Sequence, residues 1–186
     1  MTLTAPDTQS ALAPLPPSRL LAIARGLGRD AATWRALAQH DPDERWFLQL
    51  SSNARFDIWL IGWHSHQGVD LHDHGGAGGA FTVVEGELLE TSGHIDGRRP
   101  LTETRLGVGA ARSFGPGHVH WVANPSVEVA TSVHVYSPPL QTMDFYGSEP
   151  DLSFSRLRTE SATEPRTGVG ELRGLRIEDE PGISLL

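Results

Sequence analysis

The chain of 186 residues contains no cysteine. Disulfide bonds, zinc–thiolate sites and thiol nucleophiles are therefore excluded, and any bound metal must use His, Asp or Glu. No apolar run approaches the roughly 18–20 residues that span a bilayer, and no basic segment precedes an apolar one at the N-terminus. These absences predict a cytoplasmic protein without a membrane partner.

Basic residues are also scarce, since 15 Lys+Arg face 23 Asp+Glu and the formal net charge is −8. An acidic surface repels phosphate backbones, so nucleic acid is not an expected partner. We expect residues 1–17, which are rich in Pro, Ala, Ser and Thr, to be a disordered leader. Residues 18–158 are expected to form a single domain and residues 159–186 a loosely ordered tail. The protein is expected to be a monomer or a small homo-oligomer.

Two short helices are predicted at the start of the domain, one from a Ser18 cap to Gly26 and one from an Asp30 cap to Gln39. Beyond them, short runs of Trp, Phe, Ile, Val and Thr are separated by Gly, Pro and Asn, which is typical of antiparallel β-proteins. The predicted strands cover residues 46–51, 56–63, 79–84, 87–95, 101–106, 111–114, 119–123 and 127–136, with a late edge strand at 152–158. This pattern predicts a mostly β fold, a double-stranded jelly roll whose inward residues line a cavity.

Four of the nine histidines fall between residues 64 and 74. Alternate residues of a strand project from one face, so His72 and His74 can bind the same ion. The alternative for this pair is a polar loop with surface histidines. We adopt that simpler interpretation for His64 and His66, which lie in an expected turn.

A second His-x-His pair can supply the third ligand that such a site requires. His118 and His120 share a face of their predicted strand, so periodicity alone does not choose between them. Farther on, Ser132, His134 and Tyr136 take alternate positions in an otherwise apolar run. Polar groups on one face of a buried strand need partners, so these form either a satisfied core network or a Ser–His–Tyr relay aimed into the barrel.

The two His segments resemble the two motifs of the cupin superfamily. The first motif is matched by His72, His74 and a closing Gly86, but Gly79 takes the place of the motif's Glu. Loss of this acidic ligand narrows the resemblance to the thiol dioxygenases, the cysteine dioxygenase family, which hold Fe(II) with three neutral histidines. Residues 131–140, Thr-Ser-Val-His-Val-Tyr-Ser-Pro-Pro-Leu, follow that family's Ser-x-His-x-Tyr-Ser-Pro-Pro signature.

The second cupin motif is matched by His120 and Asn124, which selects His120 over His118. The similarity extends over residues 46–146. It implies an Fe(II) cofactor and roles for six side chains, with iron ligands His72, His74 and His120 and a relay of Ser132, His134 and Tyr136. It also implies oxidation of a small thiol with O2 to its sulfinic acid, and L-cysteine is the first substrate expected.

Two departures from the family concern a crosslink and the substrate. Animal cysteine dioxygenases crosslink the relay Tyr to a Cys near the first motif, but Gly79 lies near that position and the chain has no Cys. The family binds the substrate carboxylate through an Arg on the strand before the first motif, or through a Gln in the mercaptopropionate-type enzymes. Gln49 matches that position, or Leu48 if the gap falls differently. A substrate-binding Gln49 makes 3-mercaptopropionate or another small thiol as plausible as cysteine, and the alternative is a solvent-facing residue on an edge strand.

Two other functions are compatible with the histidines. A different cupin enzyme, such as a metal-dependent isomerase or a dioxygenase of another substrate, accounts for the metal ligands but not for the run of Ser132, His134 and Tyr136. A non-catalytic metal-binding or sensing cupin predicts metal retention without thiol-dependent O2 uptake.

Overall fold

The computed structural model describes residues 13–98, 100–148 and 154–162. These residues form two helices, α1 (Pro17–Arg29) and α2 (Ala31–Trp34), followed by eleven strands. The strands are β1 (Phe47–Ser52), β2 (Asp57–Trp63), β3 (Gly68–His72), β4 (Gly78–Glu85), β5 (Glu87–His94), β6 (Thr102–Gly107), β7 (Ala111–Phe114), β8 (His118–Ala123), β9 (Ala130–Ser137), β10 (Thr142–Ser148) and β11 (Phe154–Ser161).

The strands form two antiparallel sheets, and the chain crosses repeatedly between them. One sheet has the order β1-β2-β9-β4-β7 and the other β11-β10-β3-β8-β5-β6. The prediction of a mostly β jelly roll with two N-terminal helices is confirmed. The predicted edge strand at 152–158 corresponds to β11, which pairs with β10 at the end of its sheet. Residues 1–12 of the predicted leader and 163–186 of the predicted tail lie outside the described residues, and the domain boundaries stay a prediction.

The second helix is shorter than predicted, because it ends at Trp34 and not at Gln39. The chain after it lies directly against β2, where a Cβ added at Gly62 would be 1.9 Å from the Gln39 carbonyl oxygen. The segment after α2 is therefore fixed by tertiary packing that the local sequence does not encode.

The last predicted strand also starts later, at Ala130 and not at residue 127. Asn124 organises the preceding loop, since its Nδ2 donates to the carbonyl oxygen of Glu128 at 2.7 Å and its Oδ1 accepts the N–H of Ser126 at 2.9 Å. These bonds hold the segment as a turn, so pairing with the neighbouring strands begins only after it.

An apolar cluster lies between α1 and the outer face of the five-stranded sheet. Leu20, Ile23, Ala24 and Leu27 are buried at the i, i+3, i+4, i+7 spacing of one helix face. The helix can begin at Pro17 because the first turn does not use the missing N–H. The facing sheet residues include Ile58, Leu60, Ala80, Val133 and Val135.

A second cluster fills the space between the two sheets and contains most of the buried aromatic residues. Its members include Trp59, Trp63, Phe81, Phe114, Tyr136 and Phe145. Strand β9 lies between β2 and β4 and contributes to both clusters. Val133 and Val135 face α1, so the alternating Ser132, His134 and Tyr136 face the barrel interior.

No helix within the described ranges is both long enough and apolar enough to cross a membrane.

Candidate metal centre

Three histidines from different parts of the chain meet inside the barrel. His72 ends β3, His74 follows in the next turn, and His120 pairs with His72 in the β3–β8 ladder. One ring nitrogen from each lies within 4.8 Å of the others. The ring centroids are 4.7–5.0 Å apart, and all three residues are buried. The structure thus brings together the three residues that the sequence analysis selected.

The hydrogen bonds of these rings leave nitrogens available for a metal. His72 Nδ1 donates to the backbone carbonyl of Asp70 at 2.7 Å, and His120 Nδ1 donates to Glu90 Oε1 at 2.8 Å. Each of these rings therefore directs Nε2 elsewhere. Both ring nitrogens of His74 are buried and have no hydrogen-bond partner. Such a group is costly unless something binds it, so the donor set fits a metal cation.

The electrostatic environment keeps these imidazoles neutral, as metal ligands must be. Burial lowers the pKa of all three histidines, and repulsion between the neighbouring rings lowers it further. The Glu90 carboxylate opposes the burial effect at His120, where the pKa is nevertheless lowered. At neutral pH each ring can offer a lone pair.

Glycine at position 79 offers no ligand, and the space that a longer side chain there would need is filled by aromatic rings. A Cβ at Gly79 would lie 2.6 Å from the Phe114 ring and 2.9 Å from Tyr136 Cδ1. The Phe114 ring occupies this space and stacks on His74, with centroids 4.8 Å apart. The acidic ligand of the first cupin motif is thus replaced by an aromatic ring, and the protein presents three neutral nitrogens.

The polar residues of β9 form one continuous hydrogen-bonded chain. Tyr136 Oη lies 3.1 Å from His134 Nδ1, and His134 Nε2 lies 2.8 Å from Ser132 Oγ. The chain continues to Trp63, whose Nε1 donates to Ser132 Oγ at 2.9 Å. The Ser, His and Tyr residues were predicted to form a network, whereas Trp63 was not identified as part of it.

Trp63 determines the direction of these hydrogen bonds. Because the indole N–H can only donate, Ser132 Oγ accepts from it, and His134 Nε2 is the acceptor for the serine hydroxyl among the described contacts. Burial lowers the pKa of His134 to about 3, so the neutral ring carries its single proton on Nδ1 and donates to Tyr136. Burial also raises the pKa of Tyr136, which keeps its phenolic hydrogen free for another acceptor.

A cavity of about 780 Å³ opens beside the histidines. Its lining includes His72, His120, His134 and Tyr136, with the aromatic side chains Trp46, Phe47, Trp59 and Trp63. Acidic residues Asp41, Glu44 and Glu160 contribute to the same lining. This volume lies in the range of small-molecule sites, so a ligand beside the metal ligands can be largely enclosed.

One cation, Arg45, lines this cavity and was not identified from the sequence. Its guanidinium lies 5.7 Å from the centroid of the Trp63 ring. Burial lowers the pKa of Arg45, and the nearby Tyr136 and Glu160 act in the opposite direction. Arg45 lies two residues before β1 starts, outside the strand on which the resemblance implies an arginine, and for that reason it was not matched to the family's arginine.

The predicted substrate residue Gln49 lies on β1 with its side chain beside Asp57. The cavity lining within the described residues includes Phe47, two positions earlier, but not Gln49. Its role in substrate binding stays a prediction.

A second residue that the sequence analysis missed is Glu90, a buried carboxylate on β5. Burial alone would raise its pKa, but the neighbouring His118 and the hydrogen bond from His120 outweigh that effect and lower the pKa to about 2. A usable signal existed, because Glu90 follows the buried Leu88 by two positions and therefore points inward. His118 lies beside Glu90 and stacks on Phe114 with centroids 4.3 Å apart.

Two antiparallel sheets that enclose three buried histidines and a cavity define a barrel of the cupin type with a candidate metal site. The fold is similar to TT1209 from Thermus thermophilus, with 24% identity, a TM-score of 0.50, and coverage of 56% of this chain and 93% of that one. A cupin superfamily protein from Desulfitobacterium hafniense matches with 11% identity and a TM-score of 0.48, covering 56% of this chain and 87% of that one. A conserved protein with a double-stranded β-helix domain from Klebsiella pneumoniae matches with 20% identity and a TM-score of 0.46, covering 56% and 85%.

The sequence model of the family described as cysteine dioxygenase type I matches residues 18–149. The chain therefore belongs to the cysteine dioxygenase type I family.

Proposed function

We propose that this protein is an iron-dependent thiol dioxygenase that converts a small thiol, RSH, and O2 into the sulfinic acid RSO2H. The observation that carries the proposal is the set of three buried imidazoles with available nitrogens beside a cavity that also contains Tyr136. Membership of the cysteine dioxygenase type I family supports the same reaction class.

Iron(II) held by His72, His74 and His120 would bind a thiolate and O2 and would supply the redox chemistry that joins both oxygen atoms to sulfur. The protein contributes three neutral donors and has no carboxylate at position 79, where Gly79 packs against the Phe114 ring. The positive charge is therefore left for an anionic substrate to offset, which favours the thiolate over the thiol.

The relay residues act on the substrate side of the site. Tyr136 accepts a hydrogen bond from His134 and directs its own hydroxyl hydrogen towards the cavity that it lines. Ser132 and Trp63 keep His134 in the tautomer that makes this possible. We therefore assign Tyr136 to donate a hydrogen bond to substrate or to oxygen, with His134 and Ser132 orienting it.

Arg45 supports a substrate that carries a carboxylate. A guanidinium recognises a carboxylate through two parallel hydrogen bonds, and its partly buried position beside Trp63 strengthens that interaction. L-Cysteine and 3-mercaptopropionate both meet this requirement, whereas cysteamine does not. We propose L-cysteine as the first substrate and 3-mercaptopropionate as the alternative, which the prediction for Gln49 favours.

The test is O2 consumption by anaerobically iron-loaded protein, with cysteine, 3-mercaptopropionate, cysteamine and a thiol-free control measured in parallel. We expect one O2 per sulfinate detected by mass spectrometry, and faster turnover with the two carboxylate-bearing thiols. His120→Ala should lose this activity, while His64→Ala, in the turn after β2, should retain it. Bound iron without thiol-dependent uptake would contradict the proposal and favour a non-catalytic metal-binding cupin.

A further inference from the structure

We propose that Glu90 is a positioning residue for the metal, which fixes the tautomer of His120 and places a carboxylate on the far nitrogen of that ligand. This inference rests on the proposed metal site but not on the thiol reaction. Glu90 is 2% exposed and belongs to β5, which pairs with the strand that carries His120.

The contact between the two side chains determines which nitrogen of His120 faces the metal. Glu90 Oε1 lies 2.8 Å from His120 Nδ1, and both side chains are buried. A carboxylate only accepts hydrogen bonds, so the ring hydrogen is on Nδ1 and the lone pair is on Nε2. The ring therefore presents Nε2 towards His72 and His74 without first having to change tautomer.

The other two ligands lack such a partner. His72 donates to a neutral backbone carbonyl at 2.7 Å, and neither ring nitrogen of His74 has a hydrogen-bond partner. Among the three histidine ligands, His120 is therefore the one whose ring N–H donates to a charged acceptor. An anionic acceptor on the far nitrogen makes an imidazole a stronger electron donor and fixes the direction of its ring.

Two basic side chains lie beside the Glu90 carboxylate. His118 Nε2 lies 3.4 Å from Oε1, and Arg112 Nε lies 3.6 Å from Oε2. The Arg112 cation also argues against a second metal ion bound by Glu90, His118 and His120. Such an ion would be close to Arg112 and would need the Nδ1 lone pair that the hydrogen bond to Glu90 excludes.

A purely structural role is the competing explanation, because Glu90 also lies beside the side chains of His118 and Arg112. The two roles differ in what the charge does for the metal. A structural carboxylate changes the folding of the metal-free protein, whereas a positioning carboxylate changes metal affinity and the ligand field as well. Measurements of metal binding therefore separate them without any assay of turnover.

The test is Co(II) binding to the full chain, with the dissociation constant measured by competition against a chromophoric chelator and the visible spectrum recorded at saturation. Glu90→Gln keeps the size and an acceptor oxygen but removes the charge. We expect about 10–100-fold weaker binding and a changed spectrum. The matched control is Glu87→Gln on the same strand, because Glu87 is paired with Arg105 at the surface and should bind Co(II) within about twofold of wild type.

Thermal unfolding with and without Co(II) separates metal binding from folding. The increase in Tm caused by Co(II) should shrink in Glu90→Gln but not in Glu87→Gln, whatever the Tm of the metal-free variant. If Glu90→Gln does not fold, Glu90→Asp replaces it, since the shorter side chain withdraws the carboxylate from His120 and should also weaken binding. Unchanged affinity and spectrum in the folded variant would overturn the inference.

The same data separate this inference from the proposed function. Weak Co(II) binding by Glu90→Gln, with no thiol oxidation by the wild-type protein, would support the role of Glu90 and contradict the dioxygenase. Thiol oxidation by the wild type, with full Co(II) affinity in Glu90→Gln, would support the dioxygenase and contradict the role of Glu90.

Discussion

The two faces of the five-stranded sheet are built from different side chains although they share the same strands. On the outer face, Val133 and Val135 of β9 join an aliphatic cluster under α1. On the inner face, the alternating residues of the same strand are Ser132, His134 and Tyr136, joined by hydrogen bonds. One strand thus contributes to an apolar core on one side and to a candidate active site on the other.

This difference shows how the barrel can remain folded although polar side chains are buried inside it. Buried polar groups lower stability unless each is paired, and His74 has no partner for either ring nitrogen. The outer face contains fully buried aliphatic side chains such as Leu20, Leu60 and Val133, whose burial is favourable. We infer that burial of aliphatic side chains on the outer face offsets the free-energy cost of the buried polar groups on the inner face.

The largest expected effect is on the outer face. Leu27→Ala removes a residue that is 1% exposed and should lower the free energy of unfolding by about 2–5 kcal/mol. Metal affinity should stay unchanged, because Leu27 lies on the opposite face from the histidines. Chemical denaturation and Co(II) titration check both points, and Leu157→Ala, at a residue 64% exposed, is the control with little expected change. Loss of metal affinity in folded Leu27→Ala would contradict the inference that the outer face affects stability without affecting the metal site.

An inner-face carboxylate should make stability depend on pH. Burial raises the pKa of Asp57 to about 6, although the Trp59 and Gln49 side chains and the Leu140 N–H act in the opposite direction. Since the folded pKa lies above the unfolded one, Asp57 contributes stability at pH 4 that is lost as the pH rises through 6.

Replacing this carboxyl with an amide removes that dependence. Between pH 4 and pH 7 the free energy of unfolding of wild type should therefore fall by about 2 kcal/mol relative to that of Asp57→Asn. Denaturation of both proteins across this range gives the difference directly, and common titrations of the histidines cancel. A difference that does not change with pH would show that Asp57 titrates normally.

Tyr136→Phe should keep the metal and lower kcat/KM on the order of 100-fold, because the variant lacks the hydroxyl hydrogen that the relay directs into the cavity. The chain has one other tyrosine, Tyr146, whose hydroxyl donates to Asp73 at 2.8 Å. Tyr146→Phe is therefore the matched control and should retain activity. Equal rates for wild type and Tyr136→Phe would show that these hydrogen-bonded residues are a structural network without a role in turnover.

The smallest effect should distinguish two candidate substrate residues. Arg45→Gln should raise KM about 10-fold for thiols with a carboxylate and leave KM for cysteamine nearly unchanged. Gln49→Ala should change KM less, because Gln49 lies beside Asp57 and not in the described cavity lining. A larger change in KM for Gln49→Ala than for Arg45→Gln would instead indicate that Gln49 binds the substrate.

Much of the inner face could be predicted because its residues follow strand periodicity. The alternation of valine with Ser132, His134 and Tyr136 indicated the two faces of β9, and the spaced pair His72 and His74 indicated a shared ligand. The structure places His74 in the turn after β3 and not on the strand itself. The close approach of the His72 and His74 rings therefore depends on the turn geometry as well as on their spacing in the sequence.

The residues that were missed depend on tertiary contacts. Arg45 lies outside any strand, and only the folded structure shows that it lines the cavity. Glu90 acquires its significance only from pairing of β5 with β8, which brings it to His120. Strands β3 and β10 were not predicted, and β3 is only five residues long.

The most direct test of the account is an anaerobic Fe(II) titration of the full chain and its histidine variants. We predict one tightly bound iron per wild-type chain and loss of that binding in His72→Ala, in His74→Ala and in His120→Ala. His66→Ala, in the turn after β2, should bind as the wild type does. Wild-type iron affinity and stoichiometry in any of the first three variants, with the fold intact, would contradict a metal centre formed by these histidines.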